Sequence, residues 1–144
     1  IQQSYMAYQS SSFELRILGK KTRLYNFKPT GDIDKRAQAS GIAPNFIHSL
    51  DAAHLQLTVL NALKEDIKHF AMIHDSYGTC VAQAGDLFRL IRSSFVEMYQ
   101  ENDVFQTFKE DMKIYLDETT KLPKMPSKGT FDLAVISQSL YAFA

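Results

Sequence analysis

The stretch of the chain with the most evident chemistry is His74-Asp75-Ser76, which lies between two apolar runs in "FAMIHDSYGTCVA" (70–82). These are the residue types of a catalytic triad. Neighbours on a strand project to opposite faces, however, so three consecutive residues cannot form a relay of nucleophile, base and orienting group. One Asp and one His also fall short of the three or more protein ligands that are typical of zinc.

Two interpretations of Asp75 remain. In the first, the segment is an ordinary turn, in which Asp and Ser bond the turn backbone and Gly78 takes the unusual dihedral angle. In the second, Asp75 ends a buried strand that holds its carboxylate rigidly, as magnesium chemistry on phosphates requires. Two-metal phosphoryl transfer normally needs a second fixed carboxylate, and no other carboxylate occupies an equivalent strand end. That partner is either absent or carried by chain outside this sequence.

A second candidate site lies in "SGIAPNFIHSLDAAH" (40–54). A helix that begins near Asn45 places Asn45 and His48 on one face, three residues apart. Such residues near a helix start are often caps, but both types can also reach the minor-groove acceptors, whose positions vary little between base pairs. His54 falls on a different face of that helix, where simple exposure would account for it.

The elements before this region form a β-hairpin, predicted by the alternation in "FELRILGKKTRLYNF" (13–27) with a turn at Gly19. The segment "KPTGD" (28–32) is expected to break the hairpin. Asp32 would cap a short helix that Gly41 stops.

A long amphipathic helix is predicted from about Asn45 or Ser49 to about Glu65, with Pro44 tolerated at its start. Its apolar residues recur at helical spacing, so this stripe is expected to face the core. The stripe consists of Leu50, Ala53, Leu57, Leu60 and Leu63.

The second half of the chain is expected to contain strands at 69–74 and 78–82 around a tight turn, and then helices at 83–100 and 103–119. The first of these helices has an apolar face made of Leu87, Leu90, Ile91, Ser94, Phe95 and Met98, and the second one made of Phe105, Phe108, Met112, Tyr115 and Leu116. A loop at 121–130 and a last short helix, "FDLAVISQS", complete the chain. This order predicts an α+β fold with helices packed on small antiparallel hairpins.

Composition sets broad limits. The 144 residues suffice for one domain with a core, and the formal net charge of zero gives no global field for a polyanion. The single cysteine, Cys80, excludes an internal disulfide, and its apolar surroundings predict a buried, inert thiol. No stretch approaches the roughly 20 apolar residues of a membrane span. The opening "IQQSYMAYQSSS" reads like the interior of a longer polypeptide, which predicts that the chain is a fragment.

Together, "SGIAPNFIHSLDAAHLQLTV", "FAMIHDSYGT" and the final "YAFA" resemble the C-terminal part of the single-subunit, bacteriophage-type RNA polymerases. The match is in good register from about Asp32 to Ala144. Related DNA polymerases usually carry His-Asp-Glu at this hairpin, so Ser76 favours the RNA-synthesising branch. Tyr77 stands where many relatives have Phe.

The resemblance implies a role for each matching residue. Asp75 resembles the palm aspartate that binds two catalytic Mg²⁺ ions, and His74 its neighbour that positions the primer end and hybrid. Asn45 and His48 resemble residues that face the minor groove of the RNA–DNA hybrid. The remaining matches, which would support the active site, are Ser76 at the hairpin and Phe143 and Ala144 in the C-terminal foot.

The resemblance also implies an organisation and a function. The chain would be one palm fragment, with a hairpin lead-in at 1–31, the catalytic hairpin and helices at 32–120, and a loop and foot at 121–144. The parent enzyme would be a DNA-directed nucleotidyltransferase of the host-cell cytoplasm. It would act on a DNA template, an RNA product and nucleoside triphosphates, together with the N-terminal part of the polymerase.

The chain alone is expected to be inactive and to self-associate through apolar surfaces. Two alternatives stay open at this point. The chain could belong to a related family-A-like DNA polymerase, or it could be a non-catalytic remnant with a binding or structural role.

Overall fold

A computed structural model describes residues 4–141 of the chain. The fold is α+β, with two small antiparallel hairpins and a set of helices, as the sequence predicts. The chain divides into two compact units, Ile1–Leu50 and Asp51–Ala144. Phe143 and Ala144, two of the residues expected to support the site, lie outside the described residues.

The first unit contains a long hairpin of β1 (Met6–Ile17) and β2 (Lys20–Ile33). Leu18 and Gly19 form its turn, with φ angles of 49° and 79°, so the predicted turn is confirmed. The expected break at 28–32 is wrong, because β2 continues to Ile33 through an irregular register. Proline and glycine are tolerated here because each strand of a two-stranded sheet has an unpaired edge.

A single helix, α1 (Lys35–Lys64), follows β2 directly. Its cap is Asp34 and not Asp32, since Asp34 Oδ1 accepts hydrogen bonds from the backbone N–H groups of Arg36 and Ala37, both at 3.0 Å. The predicted stop at Gly41 is also wrong, and Pro44 lies inside the helix.

The helix continues past these two residues in a segment that Tyr5 contacts. The Tyr5 N–H donates to Gln38 Oε1 at 3.1 Å, and the Tyr5 carbonyl accepts from the Asp34 N–H at 2.8 Å. The Tyr5 ring lies so close to Gly41 that a Cβ there would be 2.5 Å from it. Gly41 is therefore a site of close approach and not a helix stop.

In the second unit the buried face of α1 differs from the predicted leucine stripe. The buried side chains are His54, Thr58 and Ala62, spaced four residues apart, whereas Leu60 and Leu63 are 57% and 47% exposed. The buried residues of α1 therefore have helical spacing, as predicted. They lie on a different face from the predicted leucines, and they are smaller or more polar.

The second core element is α2 (Ala84–Glu101). The apolar face predicted for it is confirmed, with Phe95 half-buried and the rest of that face buried. Leu90 packs with Ala62 and Ile67, and Phe70 lies against this cluster. Because Phe70 immediately precedes the second hairpin, this cluster anchors the start of that hairpin.

The last elements are shorter than predicted. Helix α3 (Val104–Lys113) is capped by Asp103, which accepts from the Gln106 N–H at 3.1 Å, but it ends well before residue 119. The final helix is a 3₁₀ segment, Leu133–Gln138, and residues 121–130 form a loop as expected. Within residues 4–141 no helix is both long enough and apolar enough to cross a bilayer.

Candidate functional site

The second hairpin consists of β3 (Ala71–Ile73) and β4 (Ser76–Gly78), with Met72 opposite Tyr77 and Ile73 opposite Ser76. β3 is shorter than the predicted strand at 69–74, and the predicted strand at 78–82 is wrong, because β4 overlaps it only at Gly78. His74 and Asp75 form the two-residue loop. His74 takes the left-handed conformation, with φ 54°. The turn interpretation assigns this conformation to Gly78, and that assignment is wrong. A two-residue hairpin loop needs a positive φ within the loop itself, and His adopts this conformation more readily than most residues.

Asp75 is exposed at the tip of this hairpin. Among the described residues, nothing forms a hydrogen bond or an ion pair with its carboxylate, so both oxygens can accept a ligand. A free carboxylate is a donor that Mg²⁺ prefers, and Asp75 therefore fits as one protein ligand of such an ion. Between residues 4 and 141 no group of three or more His, Cys, Asp or Glu side chains could hold a metal.

The base of the hairpin is fixed from both sides. Thr79 Oγ1 donates to the His69 carbonyl across the hairpin at 2.7 Å, and Phe70 packs on the core. Gly78 lies close to Ala71, since a Cβ at Gly78 would be 3.2 Å from the Ala71 carbonyl oxygen. These contacts hold the two ends of the hairpin together.

His54 anchors the hairpin from α1. It is only 5% exposed, which corrects the expectation of exposure. Its Nε2 lies 2.8 Å from the Ile91 carbonyl oxygen, and its Nδ1 lies 3.2 Å from the Tyr77 hydroxyl. A carbonyl oxygen can only accept, so Nε2 carries the proton. Nδ1 then accepts from Tyr77 when the ring is neutral.

Burial lowers the pKa of His54, against the raising effects of the Ile91 carbonyl and the Asp51 charge. The neutral ring is therefore favoured. Burial also raises the pKa of the Tyr77 phenol, and the charges of Asp51 and Asp75 add to this effect. Tyr77 consequently keeps the proton that it donates to His54. The Phe95 ring meets His54 edge-on, with centroids 5.3 Å apart, and restricts its orientation.

Arg92 is a second buried polar anchor that sequence reasoning missed. Its side chain is 2% exposed, and its Cζ lies 3.3 Å from the centroid of the Phe88 ring. Its Nη1 donates to the Phe88 carbonyl at 3.0 Å, and Nε and Nη2 donate to the carbonyls of Ser139 and Leu140 at 3.0 and 3.4 Å. Arg92 thereby attaches the C-terminal segment to α2. An Arg on the apolar side of α2, one residue after Ile91, is the only sequence signal of this role.

Asn45 and His48 both lie on α1, ten or more residues after its start at Lys35, so the interpretation of these two residues as caps is wrong. Asn45 is half-buried, and its Nδ2 donates to the Tyr5 hydroxyl at 3.2 Å. His48 is exposed. Tyr5 therefore sets the side-chain orientation of Asn45.

Cys80 does not have the predicted environment. The thiol is exposed, because the second apolar run does not continue the hairpin. Residues Val81–Gln83 form a 3₁₀ turn that leads into α2, and Val81 is itself exposed.

Comparison with known proteins identifies the family. The sequence profile of DNA-dependent RNA polymerases matches residues 1–122. The chain belongs to this family, and the resemblance seen in its motifs is confirmed. Residues expected to carry chemistry, from Asn45 to Ser76, lie within the matched range.

The relatives include phage and plant enzymes. The chain is 40% identical over 147 residues to the DNA-directed RNA polymerase of Enterobacteria phage K11, covering 99% of this chain and 16% of that protein. It is 43% identical over 122 residues to the T7 RNA polymerase of Escherichia phage T7, covering 83% and 14%. It is 31% identical over 116 residues to the DNA-directed RNA polymerase 1A of Nicotiana tabacum, covering 81% and 73%. The chain therefore spans about one sixth of the length of the phage relatives.

Proposed function

We propose that the chain forms the C-terminal palm region of a DNA-directed RNA polymerase and contributes Asp75 to its active site. The reaction would add nucleotides from nucleoside triphosphates to the 3′ end of RNA on a DNA template, with release of pyrophosphate. The observation that carries this proposal is the exposed Asp75 carboxylate on a two-residue loop whose base is packed on the core. Family membership supports the reaction class.

Asp75 would act by holding metal. Asp75 would supply one carboxylate ligand to Mg²⁺, and the bound metal would provide Lewis-acid stabilisation of the charge on the reacting phosphate oxygens. One carboxylate binds Mg²⁺ only weakly, so a second carboxylate from elsewhere in the polymerase is needed. The 144-residue chain alone is therefore inactive in this proposal.

The other residues would bind nucleic acid or support the loop. Asn45 and His48 would face the minor groove of the RNA–DNA hybrid, and His74 would contact the primer end. Asn45 carries an amide oxygen that can accept while its Nδ2 is held by Tyr5. Ser76, Phe143 and Ala144 would support the active site from β4 and from the chain end.

The partners of the chain would be the DNA template, the RNA product, nucleoside triphosphates and the N-terminal part of the polymerase. Large apolar side chains are exposed on the first hairpin, including Phe13, Leu18 and Tyr25, which fits a surface that another part of a polymerase covers. The same surface would drive self-association of the isolated chain. The enzyme would work in the host-cell cytoplasm.

The test is Asp75→Asn in the full-length polymerase, with nucleotide addition measured on an annealed RNA primer. The substitution keeps the shape of the side chain and removes its charge. We expect the rate to fall at least about a thousandfold, since a metal ion supplies several kcal/mol of charge stabilisation. Asp66→Asn, at another exposed aspartate, is the control and should leave the rate unchanged. A rate within a few-fold of wild type for Asp75→Asn would refute the assignment, and preferential use of deoxyribonucleotides would indicate a DNA polymerase.

A further inference from the structure

We propose that His54 and Tyr77 are a positioning pair that fixes β4 to α2 and so sets the place of the Asp75 carboxylate. This inference rests on the proposed function of Asp75. In this inference the two residues do not touch metal or substrate themselves. They act through β4, the strand that follows the His74-Asp75 loop.

The hairpin requires such an anchor because of its size. Each strand has three residues, and an isolated two-stranded hairpin is marginally stable in water. Of the two residues that flank Asp75 in sequence, His74 is in the loop and Ser76 is exposed. Tyr77 is therefore the first half-buried residue of β4 after the loop, and its cross-strand partner is the half-buried Met72.

The anchor is a directed chain of two hydrogen bonds. The Tyr77 hydroxyl donates to His54 Nδ1 at 3.2 Å, and His54 Nε2–H donates to the Ile91 carbonyl at 2.8 Å. The chain links β4 to α2 through a single imidazole. The ring has both its nitrogens engaged and the edge of Phe95 against it, so it has little freedom to rotate.

A displacement of β4 would weaken Mg²⁺ binding at Asp75 more than it would destabilise the fold. Tyr77 follows Asp75 by two residues, and a shift of β4 moves the loop directly. Mg²⁺ demands nearly ideal octahedral geometry, and a misplacement of about 1 Å at a reacting centre can cost a hundredfold in rate. Loss of the Tyr77 hydroxyl should therefore appear first as a greater requirement for Mg²⁺.

The experiment measures the Mg²⁺ concentration for half-maximal nucleotide addition by the full-length polymerase. Tyr77→Phe removes one oxygen and keeps the ring, so the core packing stays intact. His54→Gln keeps an N–H donor for the Ile91 carbonyl but places no acceptor at the position of Nδ1, which bonds Tyr77. Tyr115→Phe and His69→Gln, at exposed positions, are the matched controls.

We expect Tyr77→Phe to raise the half-saturating Mg²⁺ concentration about two- to tenfold, which is the effect of one hydrogen bond, with most of the rate restored at saturating Mg²⁺. The double variant combines Tyr77→Phe with His54→Gln. Its half-saturating Mg²⁺ concentration should be no higher than that of His54→Gln alone, because both changes break the same hydrogen bond. The controls should match wild type.

The outcomes separate this inference from the proposed function. If Asp75→Asn abolishes addition while Tyr77→Phe and His54→Gln leave the Mg²⁺ dependence unchanged, the positioning pair is refuted and the function stands. A loss of rate that saturating Mg²⁺ does not restore, with unchanged half-saturation, would show a structural role only and would also refute the inference. If Asp75→Asn is active, the proposed function fails first.

Discussion

The Nε of Arg92 donates a hydrogen bond of 3.0 Å to the carbonyl oxygen of Ser139, 47 residues later in the chain. The same guanidinium stacks on the Phe88 ring of its own helix. A buried cation that bonds main-chain carbonyls holds a segment without depending on that segment's side chains. Arg92 therefore attaches Ser139 and Leu140 to α2.

Replacement of Arg92 by Lys should loosen the C-terminal segment, because an ammonium group lacks the planar fork that reaches several carbonyls. Chymotrypsin should then cleave after the exposed Tyr141 several-fold faster than in the wild-type chain, while cleavage elsewhere stays the same. The control is Arg89→Lys, which changes an exposed arginine that pairs with Glu65. Equal cleavage rates for wild type and Arg92→Lys would contradict the role given to Arg92.

Thr58→Val should stabilise the second unit. The Thr58 side chain is fully buried, and within the described part of the chain its Oγ1 has no hydrogen-bond partner. An unsatisfied buried hydroxyl costs about 1–3 kcal/mol, so an apolar group of the same shape should raise the free energy of unfolding by about 1 kcal/mol. Urea unfolding followed by circular dichroism measures this, with the exposed Thr107→Val as the control. A destabilised Thr58→Val chain would mean that the hydroxyl has a partner.

Gly41→Ala should destabilise the first unit, although Ala normally favours a helix over Gly by about 1 kcal/mol. The new Cβ would lie 2.5 Å from Cε2 of Tyr5, so the ring must move and give up its bond to Asn45. The measurement is the helical circular dichroism signal during thermal unfolding. In a Tyr5→Ala background the same Gly41→Ala change should instead stabilise. The idea fails if Gly41→Ala stabilises the chain with Tyr5 in place.

The stability of the second unit should fall as the pH drops below about 6.5. Burial lowers the pKa of His54 in the folded chain, whereas the unfolded chain keeps the ordinary value of 6.5. The unfolded state then binds more protons below that pH. The stabilisation is complete above 6.5 and is lost as the pH falls through the folded pKa.

Unfolding free energies of wild type and His54→Gln between pH 8 and 5 provide the check. The variant should be less stable at pH 8, because Gln cannot replace the bond to Tyr77, and its stability should vary less with pH. Parallel curves for the two proteins would show that His54 is not the group responsible.

Much of this fold can be predicted from the sequence, because the local patterns agree with the packing. The apolar face of α2 is a plain helical repeat, and the Leu18-Gly19 turn follows from alternation with a glycine. The sequence also predicts a hairpin at Asp75 and the position of its first strand, but β4 pairs earlier in the chain than the predicted strand at 78–82.

The errors in α1 have a common physical cause, which is that a distant residue decides the outcome. Gly41 and Pro44 usually end a helix, but contacts of Tyr5 hold the chain helical across this region. The leucines of α1 predicted the wrong face, since His54 bonds α2 and turns the smaller residues inward. Cys80 is exposed because the run after Gly78 leaves the strand for a 3₁₀ turn.

The sequence by itself determined the fold class, the family and the position of Asp75, because these depend on short-range periodicity and on motifs at fixed spacing. Only the tertiary structure decided that His54 holds Tyr77 and that Arg92 holds Ser139. Both are partly buried polar contacts between residues more than 20 positions apart. A buried donor or acceptor must find a partner wherever the fold brings one, and no local pattern encodes which residue that will be.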